Sequence, residues 1–189
     1  MKISQNLKSA FAAIAILWLV YFINYVLPID LRLYGLRPRH IGGLWGIAAA
    51  PFLHVDVQHL MANTGVLFIL LAVSFSYSRP LTLKAILTIM LLGGGMVWLV
   101  GRGGTIHIGA SGIIFGLIGF LMCLGIFRRH WKALIVSIVI SILYGGALYS
   151  LLIFVPGISW TGHLFGFLAG VLAAWWAGNT GKRKKTARG

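Results

Sequence analysis

The chain is a succession of apolar runs, each close to the length needed to cross a lipid bilayer, joined by connections mostly too short to fold alone. A spanning helix takes about 20 mostly apolar residues at about 1.5 Å rise per residue. The sequence divides into six such runs, 7–27, 59–76, 81–100, 111–127, 131–152 and 160–178. Inside hydrocarbon every backbone N–H and C=O must find a partner within the protein, which makes runs of this kind helices. At 59% hydrophobic and 10% charged residues, composition excludes an ordinary soluble domain. The expected fold class is an all-α membrane protein, a bundle of six transmembrane helices. It forms one domain over residues 1–181, with a basic tail over 182–189 and one long loop over 28–58.

A net charge of +14 suggests nucleic acid as a partner until its placement is considered. Lys and Arg gather in alternate connections. The amino terminus has Lys2 and Lys8, the second connection Arg79 and Lys84, the fourth Arg128, Arg129 and Lys132, and the tail five more. Only Arg32, Arg37, Arg39 and Arg102 lie on the other side, so the twelve-to-four bias reports topology rather than a nucleic-acid groove. The positive-inside rule makes both termini cytoplasmic and turns the long loop outward. The tail also suits anionic lipid head groups, at about 1 kcal/mol per basic residue near such a surface. The first run exceeds a secretory h-region and leads into five more, as a retained signal anchor does. Cys123 is the one cysteine and lies mid-span, so no intrachain disulfide forms and it reads as a packing residue.

In this topology the second, fourth and sixth spans all enter from the outer side, and their first turns lie level. His59 and Asn63 open the second, Ser111 the fourth and His163 the sixth. Polar groups within spans are costly and normally face a protein interior or a water-filled cavity. A serine hydroxyl needs a base to become nucleophilic, and imidazole, titrating near neutrality, is the usual one. Ser111 also sits at a helix amino terminus, whose free N–H groups suit a developing oxyanion. Alone, Ser111 would be read as a small residue at a helix crossing; flanking Gly109 and Gly112 together with His163 reverse that preference. Gly112 and Gly116 on one span, and Gly162, Gly166 and Gly170 on the other, recur every four residues and let two backbones approach closely. Phe115, one turn after Ser111, is placed either to pack on the imidazole or to face core or lipid. His59 and Asn63 share one helical face as hydrogen-bond donors suited to an oxyanion. His54 precedes that helix and braces the loop, while His40, His107 and His130 read as loop or interfacial residues. No metal site is expected: the chain contains no Glu, and neither Asp30 nor Asp56 lies within a span.

Three strings together resemble the rhomboid family of intramembrane serine proteases, in its bacterial six-helix form: His54-x4-His59-x3-Asn63, Gly109-Ala110-Ser111-Gly112-x3-Gly116, and Gly162-His163-x2-Gly166-x3-Gly170. The resemblance implies Ser111 as nucleophile, His163 as base, and His59 and Asn63 with the Ser111 N–H as oxyanion donors. It implies hydrolysis of peptide bonds in or near transmembrane segments of other membrane proteins, with no cofactor. It also implies a bacterial inner-membrane location, an active site open to the outer side, and a fifth helix and fifth loop, the latter over 152–160, that move to admit substrate and water. Some members carry Trp-Arg in the first loop; here Gly46 follows Trp45, which leaves the contacts holding that loop for the structure to define. A catalytically silent relative that escorts membrane clients and a small-solute transporter are the competing readings.

Overall fold

The computed structural model describes residues 2–151 and 159–186, and its regular structure is helical. The helices are α1 (Lys2–Val26), α2 (Gly46–Ala49), α3 (Val57–Thr88), α4 (Gly94–Val100), α5 (Ser111–Arg128), α6 (Trp131–Tyr144) and α7 (Trp160–Thr186). Short 3-10 turns at Leu31–Tyr34, Ile41–Gly43 and Ala50–Phe52 fold the first loop into a compact structure.

A π-helical turn, Ile89–Gly93, joins α3 to α4, so helical backbone runs for 44 residues from Val57 to Val100. A straight helix of that length would reach about 66 Å, roughly twice the thickness of a hydrocarbon core. It folds back at Ser78, whose extended backbone (φ −166°, ψ 108°) interrupts the helix two residues before Pro80. Proline lacks the N–H that would continue the ladder and disfavours helix in the residue before it. Polar groups at the break are satisfied locally: Thr82 donates to the Ser78 carbonyl at 2.9 Å, and Ser74 and Thr82 hydroxyls meet at 2.7 Å. Consequently α3 begins where the first loop ends, while α4 returns to the same loop, with Gly94 against Ile47 and Trp98 Nε1 donating to the His40 carbonyl at 2.9 Å. The 57–100 stretch is therefore two crossings, and with α1, α5, α6 and α7 the described residues make the six expected.

Boundaries differ from the sequence reading where hydropathy carries no signal for them. The fifth run, 131–152, is α-helical only to Tyr144 and tightens into a 3-10 helix over Gly145–Leu151. The sixth does not stop at residue 178; the helical backbone continues to Thr186, into the basic stretch. Most of the fifth loop, residues 152–158, lies outside the described residues.

α5 occupies the middle of the bundle. In its most apolar window 56% of residues are buried, against 17–22% for the other apolar spans, whose outer faces meet lipid. Leu117, Phe120, Leu121 and Leu124 are buried along it. Ser137 ties α6 to α5 by donating to the Leu121 carbonyl at 2.7 Å and accepting from Gly125 N–H at 2.8 Å. Small polar residues bind membrane helices in this way because hydrocarbon offers them no other partner. The first loop is held mainly by backbone: Leu36 and His107 exchange both N–H···O bonds, at 3.0 and 2.8 Å. A Cβ on Gly46 would meet the Leu36 backbone, so glycine after the exposed Trp45 permits this close approach. Arg39 adds a bond to the Gly101 carbonyl at 2.8 Å.

Candidate active site

Ser111 is the first residue of α5, and no side chain caps that helix end. The first N–H groups of a helix have no intrahelical partner and carry partial positive charge. The preceding segment is shaped by Gly109, whose φ of +110° is one that L side chains rarely adopt. A Cβ there would also lie 2.7 Å from His59 Cε1, so the glycine lets the His59 ring close on the backbone just before Ser111. Next to it, the Ala110 N–H makes a long 3.5 Å contact with His54 Nε2. His54 is buried and packs edge-on against His59 with ring centroids 5.1 Å apart. Burial lowers the His54 pKa to about 4, so it braces this corner as a neutral ring.

The glycine stripes do what their spacing suggests. A Cβ on Gly166 would strike the Gly112 carbonyl, and one on Gly170 would strike the Gly116 carbonyl. Gly116 itself receives the Ile89 side chain, and Gly162 lies against Ser159. α7 thus lies along α5 at backbone contact, with His163 entering beside the first turns of α5. Its imidazole is 8% exposed and stacks on Phe115, ring centroids 4.1 Å apart and planes 15° from parallel. Of the two places the sequence allowed for Phe115, the structure selects the one on the imidazole.

Four buried side-chain nitrogens have no hydrogen-bond partner among the described residues: Arg37 Nε, His54 Nδ1, Asn63 Nδ2 and His163 Nδ1. Nor do the described residues include a direct hydrogen bond between Ser111 and His163; such bonds are often long before substrate aligns them. Both carboxylates of the chain are engaged elsewhere. Asp30 binds the Arg32 guanidinium at 2.8 Å, which holds its carboxyl below the usual range, and Asp56 caps α3 by accepting from His59 N–H at 2.7 Å. No cluster of three or more His, Cys, Asp or Glu suited to a metal occurs among the described residues.

Ser111 lines a cleft of about 70 Å³ together with Gly109, Gly112, Gly162, Gly166, Ile47 and Val97. His59, Asn63 and His163 do not line it. His107 does, and the sequence reading of it as a loop or interfacial residue missed this role: its Nδ1 lies 2.7 Å from Ser159 Oγ. Its partner is 52 residues away, and nothing in a lone loop histidine signals such a contact.

A family model described as Rhomboid domain matches residues 42–180. Uncharacterized proteins of Mycobacterium bovis and Mycobacterium tuberculosis are each 41% identical to this chain over 172 residues, covering 86% of it and 71% of the relative. One from Mycobacterium leprae is 38% identical over 172 residues, covering 85% and 67%.

Proposed function

The chain belongs to the rhomboid family, and from that premise we propose that it is an intramembrane serine protease using Ser111 and His163 as a dyad. The observation that carries the reading is the imidazole of His163, buried in a membrane helix and clamped flat on Phe115 one turn beyond a serine at an open helix end. Burying a polar group without a partner costs about 1–3 kcal/mol, and the unpaired His163 nitrogen beside the Ser111 helix end supports a role beyond packing.

In the proposed mechanism Ser111 Oγ attacks the carbonyl carbon of a peptide bond in or near a transmembrane segment of another membrane protein, and its proton passes to His163. The resulting oxyanion accepts hydrogen bonds from the Ser111 N–H and from His59 and Asn63. Collapse breaks the C–N bond as His163 returns the proton to the leaving amine. A water, deprotonated by His163, then attacks the acyl-serine ester and releases the carboxylate product, restoring the Ser111 hydroxyl. The chain supplies every group in this cycle without a cofactor. Twelve of sixteen Lys and Arg residues on one side support cytoplasmic termini and an active site open to the outer face of a bacterial inner membrane.

A fluorophosphonate probe tests the reading in detergent-solubilised protein. Wild type should be labelled and should cleave a transmembrane substrate, whereas Ser111→Ala should do neither and His163→Ala should lose both. Labelling that persists in Ser111→Ala overturns the assignment, and a wild type that neither labels nor cleaves is the silent, client-binding relative instead.

A further inference from the structure

His107 and Ser159 stand in matching positions, each four residues before one member of the proposed dyad. His107 is fixed by its bridge to Leu36 and leads through Gly109 into Ser111. Ser159 is one helical turn before His163, whose N–H donates to the Ser159 carbonyl at 3.1 Å. Between the two segments runs a chain of hydrogen bonds whose direction is set at both ends. The Thr105 hydroxyl donates to the Arg102 carbonyl at 2.6 Å, so at 3.1 Å it accepts from His107 Nε2–H. His107 is then the tautomer with a bare Nδ1, which accepts the Ser159 hydroxyl proton at 2.7 Å. The Ser159 oxygen in turn accepts from the Gly162 N–H at 3.2 Å, capping α7. Burial lowers the His107 pKa, in keeping with a neutral ring.

We infer that His107 and Ser159 are a pair of positioning residues, holding the first turn of the base-bearing helix in register with the segment that carries the nucleophile. The inference rests on the proteolytic reading only for its catalytic consequence. Besides this bond the two segments meet through glycine packing and the stack of Phe115 on His163, contacts that fix distance without a directional bond. A directional bond from Ser159 to a histidine whose backbone is held by Leu36 and whose ring is held by Thr105 restricts the freedom those contacts leave.

Two readouts on the full-length protein in detergent test the pair: hydrogen exchange at the Gly162 and His163 amides, and the kinetics of substrate cleavage. Losing a cap such as Ser159 typically changes the local opening equilibrium about fivefold. Ser159→Ala, which removes the cap, should raise exchange at those two amides by about that factor, and His107→Phe, which keeps the cap but releases it from the ring, should raise it by less. Both should lower kcat with little change in KM. His107→Asn, which keeps an acceptor near the Nδ1 position, should restore both. The double variant should be no worse than the worse single one, since both break the same link. Wild-type exchange and kcat in His107→Phe, or losses that multiply in the double variant, would overturn the inference. Protection within α5 reports whether each variant is folded, and Ser159→Thr, which keeps the hydroxyl, provides a second rescue. If wild type shows no Ser111-dependent cleavage, the exchange data alone decide. Coupled exchange without proteolysis would leave the pair standing and remove the protease, while proteolysis without coupling would do the reverse.

Discussion

Asn63 and His54 are both buried polar side chains, yet their surroundings predict opposite behaviour. Asn63 Nδ2 has no partner among the described residues, as expected of a donor that pairs only when charge develops on substrate. Asn63→Ala should therefore lower kcat by about 10²–10³, the usual cost of losing one oxyanion donor, with KM nearly unchanged. Steady-state kinetics with a transmembrane substrate would show an equal loss in kcat and KM effects if the residue merely packs. His54 Nδ1 is likewise unpaired, but its Nε2 faces the Ala110 N–H at 3.5 Å and its ring packs on His59, which gives it a resting role. Its pKa in the fold, about 4, lies below the unbound 6.5, so between those values the unfolded chain binds the proton and the folded one does not. Its stabilising contribution is complete above about pH 6.5 and is lost as the pH falls toward 4. Unfolding midpoints in detergent should fall over that window in wild type, and less steeply in His54→Gln. The carboxylates give a third contrast. A soluble triad loses about 10⁴ in turnover when its Asp becomes Asn. Asp56→Asn keeps a good helix cap, and Asp30 is bound to Arg32, so Asp30→Asn and Asp56→Asn should each retain most activity in the same assay. A triad-sized loss in either folded variant would identify an acidic partner for His163.

Between elements, the α5–α7 contact decides whether Ser111 and His163 can meet, and its glycines are not equivalent. A Cβ on Gly170 has no room beside the Gly116 carbonyl, whereas one on Gly112 would rest 3.5 Å from the Gly162 carbonyl, an ordinary contact. Overpacking of this kind costs typically about 1–3 kcal/mol. Gly170→Ala should lower stability by that order in detergent unfolding and reduce cleavage with it, while Gly112→Ala should leave stability near wild type. Equal effects would mean that the helices are not in this register. The four-residue spacing was legible in sequence, but which carbonyl each glycine admits was not, because that depends on the rotation of both helices. The turn between second and third spans was likewise legible as the break between runs 59–76 and 81–100; that helix persists up to Ser78 on one side and resumes directly after it was not.

Over the whole molecule, orientation is the property still open to direct measurement. Ile41, in the first loop, is 81% exposed, and Cys123 can be replaced to leave a cysteine-free background. Ile41→Cys should react with an impermeant thiol reagent from the outside of intact cells; reaction only from the cytoplasmic side would invert the topology. Gly43, two residues on, is unsuitable because a Cβ there would collide with Arg37. Sequence by itself determined the number of crossings, set a charge-based expectation of their orientation, and supplied the candidates His59, Asn63, Ser111 and His163. Those follow from hydropathy, charge asymmetry and the cost of placing polar side chains in hydrocarbon, all of which act along the chain. Tertiary structure alone decided that Phe115 stacks on His163, that Gly109 makes room for His59, and that His107 reaches Ser159. Each of these joins residues on different segments, and its energy exists only once helices and loops have fixed their rotation and depth against one another.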